Sequence, residues 1–145
     1  MVEKAYERLT LAKEQLDVAL SLFLDHQSYA SAITLAGAAE EIFGEALSLR
    51  REQNVLDWSF ANTISFDKTF HVMKPEKKEY IDEENLARNA LKHLQEDKGP
   101  TITVDIEKAA CWMLVRALEN AKRLGLEISR NLDFDNWFYE NIVGV

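Results

Sequence analysis

Apolar residues recur at intervals of three and four over positions 2–24, where Val2, Ala5, Tyr6, Leu9, Ala12, Leu16, Ala19, Leu20 and Phe23 form one stripe. That spacing follows the helical repeat and predicts a long amphipathic first helix. His26, Gln27 and Ser28 break it, and Asp25 or Ser28 can cap a second helix reaching about Arg51. This second segment is short of bulk: Ala30, Ala32, Ala36, Gly37, Ala38, Ala39 and Gly44 thin it. Glycine in a helix interior costs about 1 kcal/mol relative to alanine, so Gly37 and Gly44 imply a close neighbour that offsets the loss. Glu40 and Glu41 stand among these small residues.

Positions 54–74 carry Trp58, Phe60, Phe66 and Phe70 with weak periodicity, which predicts a loop with one or two short helical turns, ended by Pro75. A third helix is expected within about 76–96. Asp82, Glu83 and Glu84 would form its acidic first turn, favoured by the helix dipole, and Lys98-Gly99-Pro100 would stop it. A final long helix begins near Thr103 or Asp105, with Ile106, Ala110, Met113, Ala117 and Leu124 on one stripe. Its stretch from Ala109 to Val115 is apolar on every face, so it should be enclosed on several sides, centrally or at a subunit interface. In the tail, 131–145, Phe134, Trp137, Phe138 and Ile142 repeat at helical spacing and predict a short helix docked by its aromatics as core cover. The expected fold is all-α: an up-and-down bundle of four to five main helices plus a short C-terminal helix, in one domain over 1–145.

Composition agrees with this pattern. A chain of 145 residues, 47% hydrophobic, supports one core, and 5 Gly with 2 Pro supply too few turns for an all-β sandwich or barrel. The formal net charge of -8 disfavours nonspecific binding of polyanions. It is uneven, however: residues 68–98 hold 7 basic and 7 acidic side chains, whereas 1–67 hold 5 and 11, so an anion site belongs in the middle of the chain. Cys111 is the only cysteine, which excludes an intramolecular disulfide and a cysteine-cluster zinc site. No apolar run approaches the ~18 residues of a membrane span, and the charged N-terminus lacks a signal-peptide core. The expected compartment is the cytoplasm, with no membrane partner.

Several chemistries fail on counting. There is no glycine-rich phosphate loop, no Gly-x-Ser-x-Gly and no His-Glu-x-x-His. A carboxylate-bridged di-iron bundle needs Glu-x-x-His, but Phe23, Lys68 and Ala90 precede the three histidines by three places. No metal and no cofactor are expected. What remains is Arg88-Asn89-Ala90-Leu91-Lys92-His93. On a regular helix Asn89 and His93 stack one turn apart, with Arg88 and Lys92 as the adjoining row, giving a cationic strip.

Arg-Asn-x-x-x-His resembles the Arg-x(4–6)-His motif of the HEPN superfamily, all-α domains often associated with RNA cleavage in toxin, phage-defence and RNA-processing systems. The order of elements is similar too: a long first helix, a small-residue second helix with Glu40-Glu41, the motif helix and an apolar last helix, over roughly residues 1–126. The resemblance implies an endoribonuclease, toxin- or defence-related, with an RNA substrate and an antitoxin or partner protein. The alternative is a catalytically silent module of the same kind that dimerises and binds a nucleotide, RNA or a protein.

An imidazole titrates near pKa 6.5 and can move the proton of a ribose 2′-hydroxyl or protonate the departing 5′-oxygen, which makes His93 the acid–base candidate. Arg88 would clamp the phosphate and Asn89 would fix the ring or the phosphate. Lys92, Glu40 and Glu41 are the candidates for the substrate-binding edge. Residues five apart on a regular helix point about 140° from each other, so Arg88 and His93 do not easily converge on one phosphate, whereas two chains paired about a two-fold axis let both line one shared groove. A homodimer is therefore expected, as is common in the resembled family. In the branch of that family regulated by nucleotide transfer, the place taken here by Gln95 is a tyrosine, so such regulation is not implied.

Overall fold

Among the described residues seven α-helices follow one another: α1 Arg8–Leu24, α2 Tyr29–Leu49, α3 Val55–Phe70, α4 Lys77–Glu84, α5 Leu86–Lys92, α6 Ile106–Arg123 and α7 Asn131–Phe138, with a π-helical turn over Tyr139–Val143. The structure, a computed structural model, describes residues 1–70, 76–94 and 98–144, the side chains of 64–70 excepted, and contains no strand among them. Pro75, Gln95 and the last residues of the expected 76–96 helix lie outside the described residues, as do the side chains of Phe66 and Phe70.

Helix α2 lies between α1 and α6 and packs along both. Its small residues make this possible: Ala32, Ala36, Gly37, Ala39 and Gly44 are buried, so neither neighbour is held off by bulk. From α1, Ala12, Leu16, Ala19, Leu20 and Phe23 enter the same core, and from α6 come Ala110, Cys111, Met113, Leu114, Ala117 and Ala121. Asp105 caps α6 by accepting a hydrogen bond from the Lys108 amide at 3.0 Å, satisfying one of the donors a helix start leaves open. The aromatic tail covers one end of this core. Phe134 is buried and sits edge-on to Phe23, which also meets Trp137 edge-on at 4.6 Å between centroids.

Three expectations change. The first helix starts at Arg8, not Val2, because Val2 and Tyr6 find nothing to pack against and stay exposed. Residues 71–74 of the segment expected to be a loop lie outside the described residues, and over Val55–Phe70 it is the 16-residue helix α3. Its start is fixed by Asn54, whose Oδ1 accepts from the Asp57 amide at 2.9 Å while its Nδ2 donates to Asp57 Oδ2 at 2.9 Å, a reciprocal cap. The third helix is two short ones that meet at Asn85, and Asp82, Glu83 and Glu84 lie at the C-terminal end of α4 and not in a first turn. Helix α6 is enclosed on several sides, with Ala110, Cys111, Met113, Leu114 and Ala117 buried, while Trp112 is 43% exposed and leans edge-on against Phe138.

Candidate functional site

The Arg-Asn-x-x-x-His run falls on α5 and the residue that follows it. Ala87 is the only fully buried side chain on this helix, which leaves most of its surface for polar groups. Arg88 crosses α2 where Gly37 has no side chain: a β-carbon at Gly37 would lie 2.6 Å from Arg88 Cδ and 3.0 Å from Cγ. The close approach expected of Gly37 is thus made by an arginine stem. At Gly44, by contrast, a β-carbon would meet Asn120 and Asn54 at 3.6 Å, an ordinary contact, so no close approach there requires a glycine.

Beyond Gly37, Arg88 Nη1 reaches Glu41 Oε2 at 3.3 Å, and Lys92 Nζ lies 4.0 Å from the same oxygen. The Arg88 side chain is 14% exposed against 52% for Glu41. Arg88 Nε is buried and has no hydrogen-bond partner among the described residues.

His93 ends α5. Its backbone is extended, with φ -134° and ψ 116°, and its amide still donates to the Asn89 carbonyl at 3.0 Å. The side chain is exposed and shares with Asn89 an open cleft of about 870 Å³, walled by Asp82, Glu83, Leu86, Leu94 and the segment Lys98–Thr103. The structure therefore brings Asn89 and His93 together, although the helix stops before His93 and the stacking is not that of a regular helix. Arg88 lines two other clefts. One, of about 570 Å³, is shared with Trp112, Met113 and Arg116; the other, of about 200 Å³, is shared with Glu41, Asn54 and Asn85. Arg88 thus lines clefts other than the one that His93 shares with Asn89.

Glu40 and Glu41 separate. Adjacent residues on a helix project about 100° apart, and here one faces out and the other in. Glu41 takes the cations of α5. Glu40 turns to the core, where its Oε1 lies 3.1 Å from Arg116 Nη2, with 7% and 9% of the two side chains exposed. Arg116 also donates to the Glu84 carbonyl at 3.2 Å and to Asn85 Oδ1 at 3.0 Å. Asn120, buried one turn on, donates to the Glu40 carbonyl at 3.3 Å and accepts from the Val55 amide at 3.0 Å. The sequence reading did not single out Arg116, Asn120 or Asn85. The signal was present: Arg116 and Asn120 are polar residues four apart on the face of α6 that carries Met113, Ala117 and Ala121, and buried polar groups require partners.

Among the described residues no group of three or more His, Cys, Asp or Glu side chains is placed to hold a metal ion. Nor is any helix among them long and apolar enough to cross a membrane. Comparison of the chain with protein-family models, with curated proteins and with solved structures gives no match in any of the three.

Proposed function

We propose that the chain is an endoribonuclease of HEPN type that works as a two-fold homodimer, with a role in toxin or defence biology and RNA in the cytoplasm as its substrate. One observation carries the reading: exposed His93 and Asn89 share an open cleft at the end of α5, while Arg88 and Lys92 occupy the adjoining row of the same short helix. A second copy turned about a two-fold axis beside α5 brings its Arg88 to the His93 of the first, a meeting that a single chain does not make.

The chemistry follows from those groups. The ribose 2′-oxygen attacks the neighbouring phosphorus while the bond from phosphorus to the 5′-oxygen breaks. His93 takes the 2′-hydroxyl proton, and the departing 5′-oxygen takes its proton from solvent water. Arg88, released from Glu41, neutralises the charge that builds on the non-bridging oxygens. The products are a 2′,3′-cyclic phosphate and a 5′-hydroxyl.

Incubating the protein with mixed single-stranded RNAs in EDTA tests this. Wild type is expected to cleave, His93→Ala to lose ~10²–10⁴-fold, and Arg88→Ala to lose ~10²–10³-fold. Cleavage that survives both substitutions removes the proposal. The Arg88–Glu41 pair favours a second reading, the silent module binding RNA, a nucleotide or a protein partner, since it leaves Arg88 only 14% exposed. That reading predicts RNA retention on a filter with no cleavage by wild type.

A further inference from the structure

Arg116 and Asn120 meet α2 at one residue, Glu40, the first through its carboxylate and the second through its carbonyl. Each then holds the start of another helix. Asn120 takes the Val55 amide of α3, and Arg116 takes Glu84 and Asn85 at the joint between α4 and α5. A buried ion pair adds little net stability, since apolar residues of similar volume often serve as well or better. What a guanidinium adds is direction: two amino groups aimed at fixed acceptors.

Those acceptors lead to the candidate site. Asn85 is buried, its carbonyl accepts the Asn89 amide at 2.9 Å, and the Asn89 carbonyl accepts the His93 amide at 3.0 Å. One ladder of hydrogen bonds thus runs from Arg116 through Asn85 and Asn89 to His93. Arg88 is set against α2 at two points on that helix, by Gly37 beneath its stem and, through Asn85 and Arg116, by Glu40. We infer that Arg116, held by Glu40, is a positioning residue: it fixes α5 so that Arg88 and His93 stand where a phosphodiester needs them. Being nine-tenths buried, it acts through α5 and not on RNA. What it positions them for rests on the ribonuclease reading above.

The test compares wild type, the double variant Glu40→Met/Arg116→Met and the control Arg123→Met, an α6 arginine whose bonds go to Glu119 and the Gln53 carbonyl. Replacing both partners leaves no unpaired charge, so the double variant should fold. If it does not, Arg116→Lys, which keeps the charge but not the fork, takes its place. Thermal unfolding, steady-state cleavage of single-stranded RNA and the amide and imidazole NMR signals of Asn89 and His93 are recorded for each. Expected are a folded variant with kcat at least tenfold lower, KM within about twofold and displaced Asn89 and His93 signals, and a control like wild type. A folded variant with wild-type kcat and unmoved signals overturns the inference. If wild type cleaves no RNA, the ribonuclease reading falls and the signals alone decide: displaced, they support positioning of α5 by Arg116; unmoved, they overturn it.

Discussion

Gly37→Ala probes the geometry of Arg88 without touching a charged group. The new β-carbon would lie 2.6 Å from Arg88 Cδ and 3.0 Å from Cγ, with Met113 Sδ at 3.7 Å closing the other side. Non-bonded carbons rest at about 3.5–4.0 Å, so Cδ must retreat by about 1 Å. The guanidinium hangs beyond Cδ, so its position against Glu41 is disturbed. Helix propensity alone would favour alanine by about 1 kcal/mol. Overpacking a fitted contact opposes it by about 1–3 kcal/mol, and the partly exposed ion pair adds less than about 1 kcal/mol. The sum is a stability between unchanged and about 3 kcal/mol lower, measured by urea unfolding, together with a loss of cleavage of about 10²-fold, since a displacement of 1 Å at a catalytic group has that effect. A variant that is about 1 kcal/mol more stable and cleaves RNA as wild type does would refute the claim that the Arg88 stem depends on the missing side chain.

Three further outcomes are expected elsewhere in the fold. Asn54→Ala removes the reciprocal cap of α3 and should lower stability by about 1 kcal/mol, a fall in Tm of roughly 2–4 °C; an unchanged Tm would show the cap to be idle. Arg130 ties the start of α7 to Asp25 at the end of α1, and its hydrogen bond holds the Asp25 carboxyl below its ordinary 3.8. A lowered carboxyl contributes stability above the ordinary value and loses it as pH falls through the folded one. Wild type should therefore lose Tm below about pH 4 more steeply than Asp25→Asn, and equal slopes would contradict the tie. Cys111 is fully buried, and burial, with Glu107 nearby, pushes its thiol up to about 11. Its reaction with a thiol reagent at neutral pH should proceed only at the rate of unfolding, and fast labelling of the native protein would contradict the packing of α6.

Much of the fold is legible in the sequence where long apolar stripes exist. The stripes of α1, α2 and α6 mark three packed helices because each buries its apolar face against a neighbour that does likewise. Helix α3 is hidden because its aromatics follow the 3.6-residue repeat only weakly; its sign is Asn54 and Asp57, whose pairing is a matter of geometry. The break at Asn85 is hidden for another reason. No proline or glycine marks it, and the bonds that anchor it come from Arg116, 31 residues away in the chain. The candidate site divides in the same way. Arg88, Asn89, Lys92 and His93 stand out as a polar run on a helix, and the small side of α2 foretells a close contact. That Glu41 faces the run while Glu40 turns inward depends on Arg116 lying under one of them, which local sequence around the two acids does not reveal.

The most direct measurement mixes two inactive proteins. Arg88→Ala and His93→Ala are each purified, combined under conditions that exchange subunits, and assayed on single-stranded RNA. If the phosphodiester is cleaved where Arg88 of one copy meets His93 of the other, the mixed dimer retains one intact pairing and activity reappears. A mixture that exchanges subunits yet stays inert, beside an active wild type, would contradict the shared site.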